Sequence, residues 1–102
     1  MDLDYILRKT DKEEFNLNCK DYGKVLRPTS IESKWIEEKF KLETPIGVIY
    51  FSPEPPGLQV SFRGSSDSED YSGSKEYAKK ICQEILESIE IHTGEKGEIV
   101  EL

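Results

Sequence analysis

Long apolar runs are missing from this 102-residue chain. The longest, Val48 to Phe51, has four residues, against the roughly 20 that a bilayer crossing needs, so no membrane span is expected. The first ten residues include Asp2 and Asp4 with no apolar stretch after them, which excludes a secretory leader and makes the cytoplasm the expected compartment. Cysteine and histidine are scarce too. Cys19 and Cys82 stand 63 residues apart and His92 is the one histidine, so neither a CxxC nor an HxxxH spacing can be built and no metal or other cofactor is expected. The pair leaves room for one disulfide, but both cysteines sit on apolar patterns where a free thiol simply packs.

Positive charge is also in short supply. Fourteen Lys and Arg face 21 Asp and Glu, a net charge of −7, which repels the phosphate backbone and argues against direct binding of nucleic acid. Residues 81–102 carry six Glu against one Lys, so −5 of the −7 lies in the last fifth. What remains is ordinary globular material: 35% hydrophobic residues, ten of the chain's residues aromatic, enough for one core and one domain spanning 1–102.

Strand patterns dominate the first two thirds. Phe15, Leu17 and Cys19 alternate with polar neighbours, predicting a strand over 14–20; Leu3 to Arg8 is too short to assign. Ile36, Phe40 and Leu42 predict a strand over 34–44, in competition with a helix that would carry Ile31, Trp35, Ile36 and Phe40 on one face. Thr44-Pro45-Ile46-Gly47 is a hairpin signal, with Pro45 presetting the turn and Gly47 free to take positive φ. A second strand over 47–52 follows. A turn that pairs Thr44 with Val48 would set Leu42 opposite Tyr50. Ile49, Phe51 and Trp35 would then share the sheet face turned away from the helix. Leu58, Val60 and Phe62 give a third clear alternation, 58–63.

One helix is unmistakable. Tyr77, Ala78, Ile81, Cys82, Ile85, Leu86 and Ile89 recur with the helical period, with Ser72 or Ser74 available to cap the start and Gly94 to end it. The expected fold is therefore α+β: an antiparallel sheet of about four strands, one long amphipathic helix packed on one face, and an optional short strand near the C-terminus.

No catalytic signature appears. His92, at a helix end, reads as a complement to the dipole, and Cys82 as an inert core thiol. Glu38, a charged misfit on an apolar pattern, is the candidate acid or base of an alternative reading, a small enzyme or ligand carrier with a pocket between helix and sheet. The Ser-rich stretch with Asp67, Glu69 and Asp70 lacks the rhythm of a calcium loop. The helix carries Lys75, Lys79 and Lys80 early and Glu84, Glu87 and Glu90 late, the reverse of the order its dipole favours.

Two partner-binding surfaces are expected from these patterns: an aromatic and aliphatic patch of Trp35, Ile49 and Phe51, and an acidic ridge of Glu84, Glu87 and Glu90 that continues into Glu95, Glu98 and Glu101. Together they point to a small acidic protein-binding module that occupies a basic site on another protein, as inhibitors and immunity proteins do. A dimeric, chaperone-like subunit closed by a second copy over the Trp35 patch is a further alternative.

Overall fold

The computed structural model describes residues 2–11, 13–17, 19–26, 34–36, 41–44, 47–54, 57–64 and 71–102. In chain order the elements are β1 (Asp2–Lys9), α1 (Cys19–Val25), β2 (Lys34–Ile36), β3 (Lys41–Thr44), β4 (Gly47–Glu54), β5 (Gly57–Gly64), α2 (Tyr71–Thr93) and β6 (Gly97–Glu101). The strands form one sheet in the order β2-β3-β4-β5-β1-β6, and every neighbouring pair is antiparallel. The fold is α+β, as the patterns required. β5 and β6 run parallel with β1 between them, because each is antiparallel to β1; α2 makes the crossover that this split β-α-β arrangement needs.

One face of the sheet holds the core. Leu3, Tyr5 and Leu7 on β1, Leu58, Val60 and Phe62 on β5, Ile49 and Phe51 on β4 and Leu42 on β3 are all buried. They form a single cluster with Ala78, Ile81, Cys82, Ile85, Leu86 and Ile89 of α2 and with Val25 and Leu26 at the end of α1. The period-two pattern of the strands and the 3.6-residue period of α2 thus meet in one layer. Tyr5 and Phe62 meet edge to face, with centroids 5.9 Å apart.

Two assignments are corrected, and the sheet has six strands where about four were expected. Residues 14–20 are not a strand: 13–17 are irregular and α1 begins at Cys19. Tyr22, Val25 and Leu26 bring a helical spacing that continues past the short alternation, and Asp21 in the first turn and Lys24 in the last suit the helix dipole. Phe15 and Leu17 still pack against the core, from irregular backbone. The stretch 34–44 is two strands rather than one, β2 turning back on β3 so that Trp35 pairs with Leu42. Leu3 to Arg8, left unassigned, lies in a strand with two neighbours, and the optional C-terminal strand is present as β6.

The hairpin between β3 and β4 turns where expected, but Thr44 pairs with Gly47, one residue short of Val48. A one-residue change of register moves every side chain to the other face. Leu42 consequently pairs with Ile49, not Tyr50, and Ile49 and Phe51 enter the core at 2% and 4% exposure. Gly47 has φ 146°, and a β-carbon there would lie 2.4 Å from the Arg63 carbonyl oxygen and 2.7 Å from the Gly64 Cα. Glycine fits for both reasons.

Candidate functional site

Two of the three residues of the expected hydrophobic patch are buried. Ile49 and Phe51 belong to the core, and Trp35 is placed by its backbone opposite Leu42, its side chain lying outside the described part. The acidic ridge is not continuous. Glu87 is exposed, whereas Glu84 and Glu90 are half-buried. One oxygen of Glu84, Oε2, is buried with no hydrogen-bond partner among the described residues. Burial, and then the Glu84 charge, push the Tyr77 phenol above its ordinary range, so Glu84 acts on the Tyr77 side of the helix rather than on a common acidic stripe.

No group of three or more His, Cys, Asp or Glu among the described residues could hold a metal ion. Cys82 is a free, buried thiol, pushed up to about 12 by burial, which removes the thiolate a nucleophile needs. His92 Nε2 lies 3.4 Å from Asp21 Oδ1, a link between the end of α2 and the start of α1. Glu38 and the stretch containing Asp67, Glu69 and Asp70 lie outside the described residues.

The face of the sheet opposite α2 is ordered but polar. Ser61 Oγ donates to Asp4 Oδ1 at 2.8 Å and Arg63 Nη2 to the same oxygen at 3.0 Å. These donors, the Ser61 bond foremost, hold the Asp4 carboxyl below its ordinary range. Arg8 Nε donates to Glu98 Oε1 at 2.7 Å, and Lys41 sits over the Tyr50 ring, 5.7 Å from its centroid. Asp4, Arg63, Arg8 and Glu98 are thereby paired within the sheet on this face.

Among the described residues, the outer edge of β6 is without a strand partner. Leu102 N–H donates to the Asp4 carbonyl at 3.0 Å, and Thr10 N–H to the Lys96 carbonyl at 3.2 Å. In an antiparallel ladder hydrogen-bonded pairs alternate, so within β6 it is Glu98 and Val100 whose N–H and C=O groups face β1. Gly97, Ile99 and Glu101 direct theirs outward. β6 ends the sheet, and among the described residues no strand pairs with that side. Proteins usually shield such an edge with proline, lysine, a bulge or extreme shortness; β6 has five residues and neither proline nor lysine. The opposite edge, β2, has three residues.

Above this edge α2 and β6 enclose a cleft of about 490 Å³ lined by Tyr5, Lys79, Lys80, Gln83, Ile99 and Glu101. Lys75 Nζ meets Glu101 Oε1 at 2.7 Å, and this bond, helped by the charges of Lys75 and then Lys79, holds the Glu101 carboxyl below its ordinary range. The acid of the cleft is thereby neutralised, while Lys79 and Lys80 are exposed and make no ion pair among the described residues.

Of the cleft residues, sequence reasoning places only Glu101 on a binding surface, as an extension of the acidic ridge, and not Tyr5, Lys79, Lys80, Gln83 or Ile99. The available signal was the adjacent pair Lys79 and Lys80 on the polar side of the helix, together with the alternation from Gly97 to Glu101. Compared with protein-family models, curated proteins and solved structures, the chain matches none of them.

Proposed function

We propose that this chain is a non-catalytic protein-binding module that takes an extended segment of a partner protein as an added strand along β6. The observation that carries the reading is the row of outward N–H and C=O groups on Gly97, Ile99 and Glu101, set beside a cleft that can receive alternate side chains of the added strand. Strand addition of this kind gives affinity through main-chain bonds and specificity through the side-chain sites beside them. It suits a protein that acts by occupation, as an inhibitor or an immunity-type protein does. The net charge of −7 favours a partner whose surface is basic overall, because the long-range field governs encounter while short-range contacts fix register.

The test is Ile99→Pro. Proline removes the outward donor at 99 while leaving the bonds of Glu98 and Val100 to β1, and an edge strand is the one place in a sheet that accepts it. The variant should keep the far-ultraviolet circular dichroism of the wild type and lose binding to a partner purified on the wild-type chain. In the wild-type complex, the amides of Gly97, Ile99 and Glu101 should become protected from hydrogen exchange. A partner that binds Ile99→Pro undiminished rules the edge out.

A further inference from the structure

Resting on that reading of the β6 edge, we propose that the segment taken up there is an acidic one, with Asp or Glu side chains at the alternate positions that fall on the cleft side. The molecule as a whole is acidic, but the cleft is not. Of its charged lining, Glu101 is bound to Lys75 at 2.7 Å, and Lys79 and Lys80, on adjacent residues of α2, are the charges without an ion-pair partner among the described residues.

A strand hydrogen-bonded to Gly97, Ile99 and Glu101 has its backbone one strand spacing, about 4.8 Å, beyond β6. Every second side chain of it stands on the face where Ile99 and Glu101 stand, beneath the overhanging side chains of α2. A carboxylate at such a position comes within reach of lysine side chains that extend from the helix over the cleft. A lysine or arginine there would meet two like charges and only one carboxylate, already bonded. Lys79 and Lys80 line the cleft and so face the position that the cleft-side residues of an added strand take. A second copy of this chain fits the cleft less well, because β6 offers Gly97, Ile99 and Glu101 on that face, one carboxylate that is already paired.

The experiment uses the full chain and two fluorescein-labelled peptides, TEVEVET and TKVKVKT, whose charged residues all fall on one face of a strand. Fluorescence anisotropy at about 0.15 M ionic strength, where the long-range field of the molecule is screened and the contacts in the cleft remain, should show TEVEVET binding at least about tenfold more tightly than TKVKVKT. In Lys79→Glu/Lys80→Glu, both positions being exposed and the fold therefore retained, the preference should invert. Amides of Gly97, Ile99 and Glu101 should gain protection with TEVEVET. Equal binding of the two peptides, or a preference that survives the double substitution, overturns the acidic assignment. If Ile99→Pro at the same time abolishes binding of a purified partner, the edge reading stands without it; if Ile99→Pro leaves that binding intact, both fall. Sedimentation equilibrium gives the remaining outcome: a dimer with those three amides protected in the absence of peptide makes a second copy the occupant and overturns the proposal.

Discussion

Gly47 carries more of the architecture than its size suggests, because the close pairing of β3 with β4 and of β4 with β5 meets at this residue: Thr44 lies on one side of it and Gly64 on the other. A β-carbon would have to occupy space held by the backbone of Arg63 and Gly64 at 2.4–2.7 Å, which no rotamer change can relieve. Gly47→Ala should therefore destabilise the fold by about 1–3 kcal/mol, combining positive-φ strain with displacement of β5. Urea denaturation reads this as a lower midpoint at unchanged slope.

The positive φ at Gly47 was legible in Thr-Pro-Ile-Gly. The register was not, because a loop of two or three residues is consistent with the same four letters, and choosing three sends Ile49 and Phe51 to the wrong face. At Cys19 the sequence misleads differently. Three alternating positions, Phe15, Leu17 and Cys19, imitate a strand, and only the later Tyr22, Val25 and Leu26 show that a helix starts at the last of them.

Among the elements, α2 was the most legible, since six of its seven expected apolar positions are buried and the seventh, Tyr77, packs against the cluster. More than three turns of unbroken period, Tyr77 to Ile89, leave no second interpretation. Ile85, fully buried on that face, should cost about 2–5 kcal/mol when cut to alanine, measured by thermal or urea unfolding. A loss below about 0.5 kcal/mol would mean that the helix contributes little to the core. β1 was legible in principle: Leu3, Tyr5 and Leu7 alternate with Asp4, Ile6 and Arg8. Six residues are a common strand length, and the alternation lacked only a turn signal to frame it.

The junction of β1 with the α2–β6 connection supplies a pH dependence. Lys9 Nζ meets Glu95 Oε2 at 2.6 Å, Asn16 N–H donates to Glu95 Oε1 at 2.6 Å, and Thr93 Oγ1 accepts from Glu95 N–H. The Asn16 bond first, then Lys9, lowers the Glu95 carboxyl below 4.5; the Glu95 bond raises the Lys9 ammonium above 10.5. A lowered acid contributes stability above its unfolded value and loses it as pH falls through the folded one, while a raised base contributes below its unfolded value and loses it as pH rises through the folded one. The junction is thus fully effective between the two ordinary values. Glu95→Gln should lower the melting temperature at pH 7 and shrink the further drop on acidification below pH 4.5. Equal acid limbs for the two proteins would show that Asn16 and Lys9 are not held by this carboxylate.

For the molecule as a whole, class and core were readable and the site was not. Periodicity reports which side chains are removed from water, and it reported most of them correctly: Leu58, Val60 and Phe62, Leu42, and the α2 face. It cannot report strand order. The free edge of β6 and the cleft beside it arise only because β1 inserts between β5 and β6 and leaves the last strand outermost. Glu84, Glu87 and Glu90 looked alike as letters three apart, yet three residues advance a helix by 300°, so successive members drift around it and just one of the three is exposed.

The position of β1 also bears on how the chain is made. Tyr5 pairs with Val60 and with Glu101, 55 and 96 residues later in the chain. At about 5–20 residues per second of synthesis, roughly 5–20 s separate the emergence of Tyr5 from that of its second neighbour. β2 to β5 can meander into a sheet in that interval, each strand meeting the next through a short connection. Leu3, Tyr5 and Leu7 must wait, apolar and unpaired, first for β5 and then for β6. Pairings so distant in sequence close slowly, so nascent chains stalled before residue 97 should be the species that chaperones hold and that aggregates when they are withdrawn.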